Sequence, residues 1–101
     1  MTPPGISIVP KEYAPSKNGT KCYKHTVYHN HDAPEGEVVF VSNCLLLPGG
    51  ELHEHVHLDM DESFIFQSET IHFKAGTLHG LSNDDTEMWK FVCVGIRRAV
   101  G

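Results

Sequence analysis

The sequence has no long apolar run, and nothing in it approaches the ~20 consecutive residues that a membrane-crossing helix needs. It has no excess of positive charge either. Eight Lys and Arg stand against 13 Asp and Glu, giving a formal net charge of −5. Binders of nucleic acid or of anionic membranes normally carry a basic patch, so neither partner is expected. The N-terminal stretch MTPPGISIVP has no basic segment followed by an apolar one, so no export signal is expected. Cysteine is sparse and unpaired. Cys22, Cys44 and Cys93 are far apart and form no CxxC motif. The expectation is reduced core thiols in a cytoplasmic protein, not a disulfide framework or a thiolate zinc site. Asn18-Gly19-Thr20 has the form of a glycosylation sequon, but without an export signal it reads as a turn. Helical periodicity is missing too, since no segment holds a 3.6-residue period over ten residues.

What remains is a series of short β-type runs with turn residues between them. A chain of 101 residues is expected to form one small domain with a modest core. Residues 1–20 are rich in Pro, Gly, Ser and Lys and read as a tail and loops around one apolar stretch, residues 6–9. Residues 21–101 read as the folded domain. Strands are expected over 21–29, 37–47, 51–58, 62–66, 70–73, 78–81 and 87–96, with Pro48-Gly49-Gly50 ending the second. This pattern implies an all-β sandwich or barrel.

Histidine is the residue in excess. There are eight, and three fall at positions 53, 55 and 57. Alternate strand residues share a face, so His53, His55 and His57 are expected on one side of the 51–58 strand. Buried imidazoles without partners are costly. A transition metal removes that cost, because imidazole nitrogen is a good ligand for Fe, Mn, Ni, Cu or Zn. Glu62 follows across a turn, and His79 lies in a separate strand after a Gly turn. The competing reading is an exposed edge strand with solvated histidines. His29 and His31 fall in a polar turn and are expected to be solvent-exposed, and His25 and His72 to be ordinary strand residues.

The segment Gly49-x5-His55-x-His57-x4-Glu62 resembles the first conserved motif of the cupin superfamily, and Gly76-x2-His79-x3-Asn83 resembles the second. The resemblance spans Gly49 to Asn83. It implies a double-stranded β-helix (jelly-roll) barrel, with His55, His57, Glu62 and His79 as ligands of a divalent transition metal. The chain departs from the pattern at Lys74, where the family has Pro, and at Ser68 and Glu69, where two family glycines would stand in reversed order. The usual inter-motif hairpin of two strands is therefore absent, and a barrel with an open side is expected. His53 adds a third histidine beside the ligand pair.

Residues of matching parity, Phe64, Phe66 and Leu81, together with His53, are the candidate substrate-pocket wall. An aromatic, apolar wall suits a small organic molecule that chelates metal through oxygen. The resemblance implies a metal-dependent enzyme on an oxygen-rich substrate, with dioxygenase-type chemistry ahead of isomerase, epimerase or lyase chemistry. A non-catalytic metal- or ligand-binding protein is the alternative. Glu62 is the candidate catalytic residue, either holding the metal or moving a proton. Arg97-Arg98 reads as a solvated chain end, and Trp89 as core. A homodimer is expected from the small core and open edge.

Overall fold

The computed structural model describes residues 9–99, so most of the 6–9 stretch lies outside the described residues. Seven strands follow in chain order: β1 (Ala14–Pro15), β2 (Gly19–His29), β3 (Val38–His55), β4 (Met60–Ile65), β5 (Thr70–Phe73), β6 (His79–Ser82) and β7 (Trp89–Arg97). They form an antiparallel sheet in the order β1-β2-β3-β7-β4-β5, with β6 pairing β3. The described residues contain no helix long and apolar enough to cross a membrane. The fold is all-β, as the periodicity implies, and the sheet begins at Ala14, upstream of residue 21.

One strand boundary differs from expectation. Pro48-Gly49-Gly50 does not end a strand, and β3 runs on through it to His55. The reason is a change of neighbour. From Val38 to Leu46, β3 pairs with β7; from Glu51 to His55 it pairs with β6. Pro48, which has no N–H to give a ladder, falls at this corner. Gly49 takes φ 77°, a conformation that favours glycine. Its N–H donates to the Asn83 carbonyl at 2.9 Å, and the Asn83 N–H donates to the Gly50 carbonyl at 2.9 Å. The buried Asn83 side chain adds Nδ2 bonds to the carbonyls of Leu46 and Glu87. The first glycine of one motif and the asparagine of the other are thus locked together.

The core gathers Cys22, Cys44, Leu46, Phe64, Phe91 and Cys93, with Phe40, Leu52, Phe66, Phe73, Leu81 and Trp89 packed against it. All three cysteines are free and buried. The open side is present as well. β4 and β5 are joined by residues 66–69 alone, closed by a Phe66 N–H to Glu69 carbonyl bond of 2.8 Å. Among the described residues β5 pairs only with β4, and β6 only with β3. A cleft lined by Phe66, Ile71, Leu81, Met88 and Trp89 runs along this side.

The end of β7 is not a solvated tail. Arg97 pairs with Asp59 and donates to the carbonyls of Ala33 and His31, while Arg98 Nε donates to Asp61 Oδ2 at 2.8 Å. These guanidinium forks tie the chain end to the turn that precedes Glu62.

Candidate metal centre

The positions of the four candidate ligands follow from strand pairing. His55 ends β3 and stands opposite His79 at the start of β6. Glu62 lies in β4 between Gly95 of β7 and Phe73 of β5. His57 is in the turn after β3, and its carbonyl accepts the Gly76 N–H at 2.7 Å. That bond fastens the turn leading to His79 against the end of the histidine stripe. Gly76 holds φ 86° there.

His55, His57, Glu62 and His79 each place a ligand atom within 4.8 Å of the others. Nε2 of His79 lies 2.8 Å from Glu62 Oε1, Nε2 of His57 3.4 Å from Oε2, and Nε2 of His55 3.7 Å from Oε1. Ligands at ~2.1 Å from one ion and about 90° apart are separated by roughly 3.0 Å, so these spacings suit a shared ion.

The hydrogen bonding sharpens this. The Nδ1–H of His55 donates to the His53 carbonyl at 2.7 Å, and the Nδ1–H of His79 donates to the Thr77 carbonyl at 2.8 Å. A carbonyl only accepts, so both rings are held with the proton on Nδ1 and, when neutral, a lone pair on Nε2. In His79 that lone pair faces a carboxylate oxygen, and Glu62 is only 4% exposed. Two acceptors meeting in a buried place are relieved by a shared proton or by a cation between them. The four residues could hold a divalent transition metal there, and a backbone carbonyl on the distal nitrogen is the usual way such a ligand is oriented. Burial lowers the pKa of His57 against the opposing pull of Glu62, with His55 and His79 lowering it further. Neutral imidazole, the ligand form, is favoured.

Phe73 stacks on the His79 ring at 4.6 Å with planes 13° apart, and Phe64 meets the same ring edge-on at 6.0 Å. Phe73 was not singled out in the sequence. Only its register opposite Glu62 reveals its place.

A cavity of about 130 Å³ adjoins the cluster, bordered by His55, His57 and Glu62 and walled by Phe40, Leu52, Phe64, Phe91 and the three cysteines. Of the candidate pocket residues, Phe64 lines it. Phe66 and Leu81 line the seam cleft, where Phe66 stacks on Phe91 at 5.0 Å. His53 is turned to the surface, its Nε2 3.0 Å from Thr20 Oγ1. Strict alternation fails there because the β3–β6 register shifts between Leu52 and His55. His29 and His31 are exposed. His72 Nδ1 lies 2.8 Å from Ser63 Oγ, and the His25 ring packs edge-on against Tyr13.

No protein-family model matches the chain, and no curated protein matches it in sequence. Solved structures do match in shape. A protein from Thermus thermophilus is similar at TM-score 0.61 and 19% identity, over 93% of this chain and 91% of that one. The polyketide cyclase RemF from Streptomyces resistomycificus is similar at TM-score 0.58 and 15% identity, over 81% and 70%. An uncharacterized protein with a double-stranded β-helix domain, from Klebsiella pneumoniae, is similar at TM-score 0.52 and 19% identity, over 90% and 88%. The class defined by the fold is therefore the double-stranded β-helix, here carrying a candidate His/His/Glu/His metal centre.

Proposed function

We propose that the protein is a metal-dependent enzyme acting on a small, oxygen-rich organic molecule. The observation that carries this reading is the convergence of His55, His57, Glu62 and His79 ligand atoms within 4.8 Å, with His79 Nε2 2.8 Å from the buried Glu62 carboxyl, beside a cavity. A divalent ion of the Fe, Mn, Ni, Cu or Zn series, when bound, supplies a Lewis acid with positions left for a chelating substrate. The chain does the rest. Carbonyls of His53 and Thr77 fix the ligand rings, Phe73 holds His79 in plane, and Phe64 and Phe91 give the cavity an apolar wall. Glu62 is the residue placed to hold or move a proton at its Oε atoms.

Dioxygenase-type oxidation, with both atoms of O₂ entering the substrate, is the reaction we favour. Burial pushes the thiol of Cys44 up to about 12 and that of Cys93 up as well. Protonated thiols are poor nucleophiles, so the cavity wall withstands an oxidant. A redox-neutral reaction is the second reading, favoured by the likeness to a polyketide cyclase. The protein is read as cytoplasmic, where reduced thiols persist, and as a homodimer whose second copy covers the open seam. Oxygen uptake by Fe(II)-loaded protein, screened against small enols, diketones and hydroxy acids, tests the reaction. Substrate-dependent uptake abolished by His79→Ala supports it, turnover without oxygen selects the second reading, and full activity in His79→Ala refutes both.

A further inference from the structure

We propose that Lys24 is the anion anchor of the cavity beside the candidate metal centre, so that the ligand it takes is a small organic acid with a second oxygen group for the metal. This rests on the metal-site reading above and adds to it the charge of the substrate.

Lys24 stands in β2 two residues from the buried Cys22 and directly opposite the buried Cys44 of β3. Both relations put the root of its side chain on the face that lines the cavity, while the residue as a whole is exposed. Thiols, aromatic rings and the uncharged Ser16, Asn18 and Ser42 share its part of the lining, so the ammonium is the one cationic group there apart from the histidines. Lys24 lines the 130 Å³ cavity and also an open depression formed with Thr26, His29, Phe40 and Ser42, so it stands where the cavity meets solvent. Among the described residues it makes no ion pair.

The cavity then has two poles. At one are His55, His57 and Glu62; at the other is the only Lys or Arg among its lining residues. A space of this volume is near the ~150 Å³ known to admit a benzene-sized molecule. It suits an acid of a few carbons and excludes a sugar chain or a peptide. An ammonium–carboxylate contact that the ligand itself covers at the cavity mouth is expected to change affinity by up to about tenfold.

The test uses Co(II)-loaded protein and follows the cobalt visible spectrum while malonate, succinate or glutarate is added. Propionate and butyrate serve as single-charge controls, and azide as a probe of the metal alone. The expected result is that the best dicarboxylate binds about tenfold tighter than the matching monocarboxylate. Lys24→Met removes that difference, Lys24→Arg keeps it, and azide affinity is unchanged in both. Dicarboxylate affinity unaltered by Lys24→Met overturns the proposal while leaving the metal reading intact. If cobalt does not bind at all, the metal reading fails and the anchor is tested separately on metal-free protein. Succinate must then shift the backbone amide resonances of Lys24 and Ser42 in the wild type and not in Lys24→Met. Absence of those shifts overturns it.

Discussion

Replacing Glu62 with Gln should have opposite effects on the metal-free and the metal-loaded protein. In the metal-free chain Glu62 Oε1 lies 2.8 Å from His79 Nε2, the nitrogen that carries the lone pair in the neutral tautomer selected by the Thr77 bond. A carboxamide turned to present its NH₂ makes a hydrogen bond in place of that opposition, a gain of about 1 kcal/mol. It also removes a charge that is costly to bury. A stabilisation of 1 kcal/mol raises Tm by roughly 4–8 °C in a domain of this size. With metal present the sign reverses. An ion at a thousand times its Kd stabilises the wild type by about 4 kcal/mol, and a hundredfold loss of affinity forfeits about 2.7 kcal/mol of that. Glu62→Gln should therefore melt at or above the wild type after chelation, and well below it with excess Zn(II) or Mn(II). Scanning calorimetry of both proteins under both conditions reads the four values. A metal-free Glu62→Gln protein that melts 8 °C or more below the wild type would refute the reasoning. It would mean that Glu62 is paired with a protonated imidazole in a purely structural ion network.

Three further outcomes follow from other contacts. Asp61 accepts the Ala75 N–H at 2.7 Å and the Arg98 Nε–H at 2.8 Å, and these hold its carboxyl below the usual carboxylate range. Its contribution is therefore full above pH ~4 and lost as pH falls through the lowered value; Asp61→Ala should cost about 2–3 kcal/mol at pH 7 in urea titrations, and an unchanged midpoint would show that the clamp is idle. The buried thiols act at the other end of the scale. Their folded pKa values are raised, so stability is full below the unfolded value of ~8.5 and falls as pH rises beyond it, by about 2 kcal/mol each for Cys44 and Cys93 at pH 10. Cys44→Val should remove about 2 kcal/mol of that decline at pH 10, and equal slopes would place Cys44 in water. Phe73→Ala removes the ring stacked on His79 and should weaken Zn(II) binding by about 10–100-fold, as loss of an orienting contact does elsewhere; titration against a competing chelator measures it, and an unchanged Kd would show that the Thr77 carbonyl alone fixes His79.

The candidate ligand set was legible through the resemblance of two motifs, which joined His79 to a local cluster. His55, His57 and Glu62 lie within eight residues of sequence, and each of the glycines 49 and 76 announces a turn that the backbone then makes. The β class was equally open to reading from alternation and turn residues. What escaped depends on pairing between distant strands. Pro48-Gly49-Gly50 has the composition of a terminator, yet it is a corner because β6, thirty residues further on, takes over from β7 as the neighbour of β3. His53 has the parity of a ligand, but the register shift that follows Leu52 turns it towards Thr20. Phe73, Lys24 and the three cysteines look unremarkable one at a time. They meet at the cavity and its ligands only once β2, β3, β7, β4 and β5 are laid side by side. Arg97 and Arg98 look like a charged end for the same reason, since Asp59 and Asp61 are nearly forty residues away.

The central claim is that His55, His57, Glu62 and His79 hold one divalent transition ion. Elemental analysis of untagged protein, beside a His55→Ala/His79→Ala double variant, tests it most directly. The account predicts close to one equivalent of Fe, Mn, Ni, Cu or Zn per chain in the wild type, as purified or after reconstitution, and almost none in the variant. A wild-type protein that stays metal-free after exposure to each of these ions would contradict it.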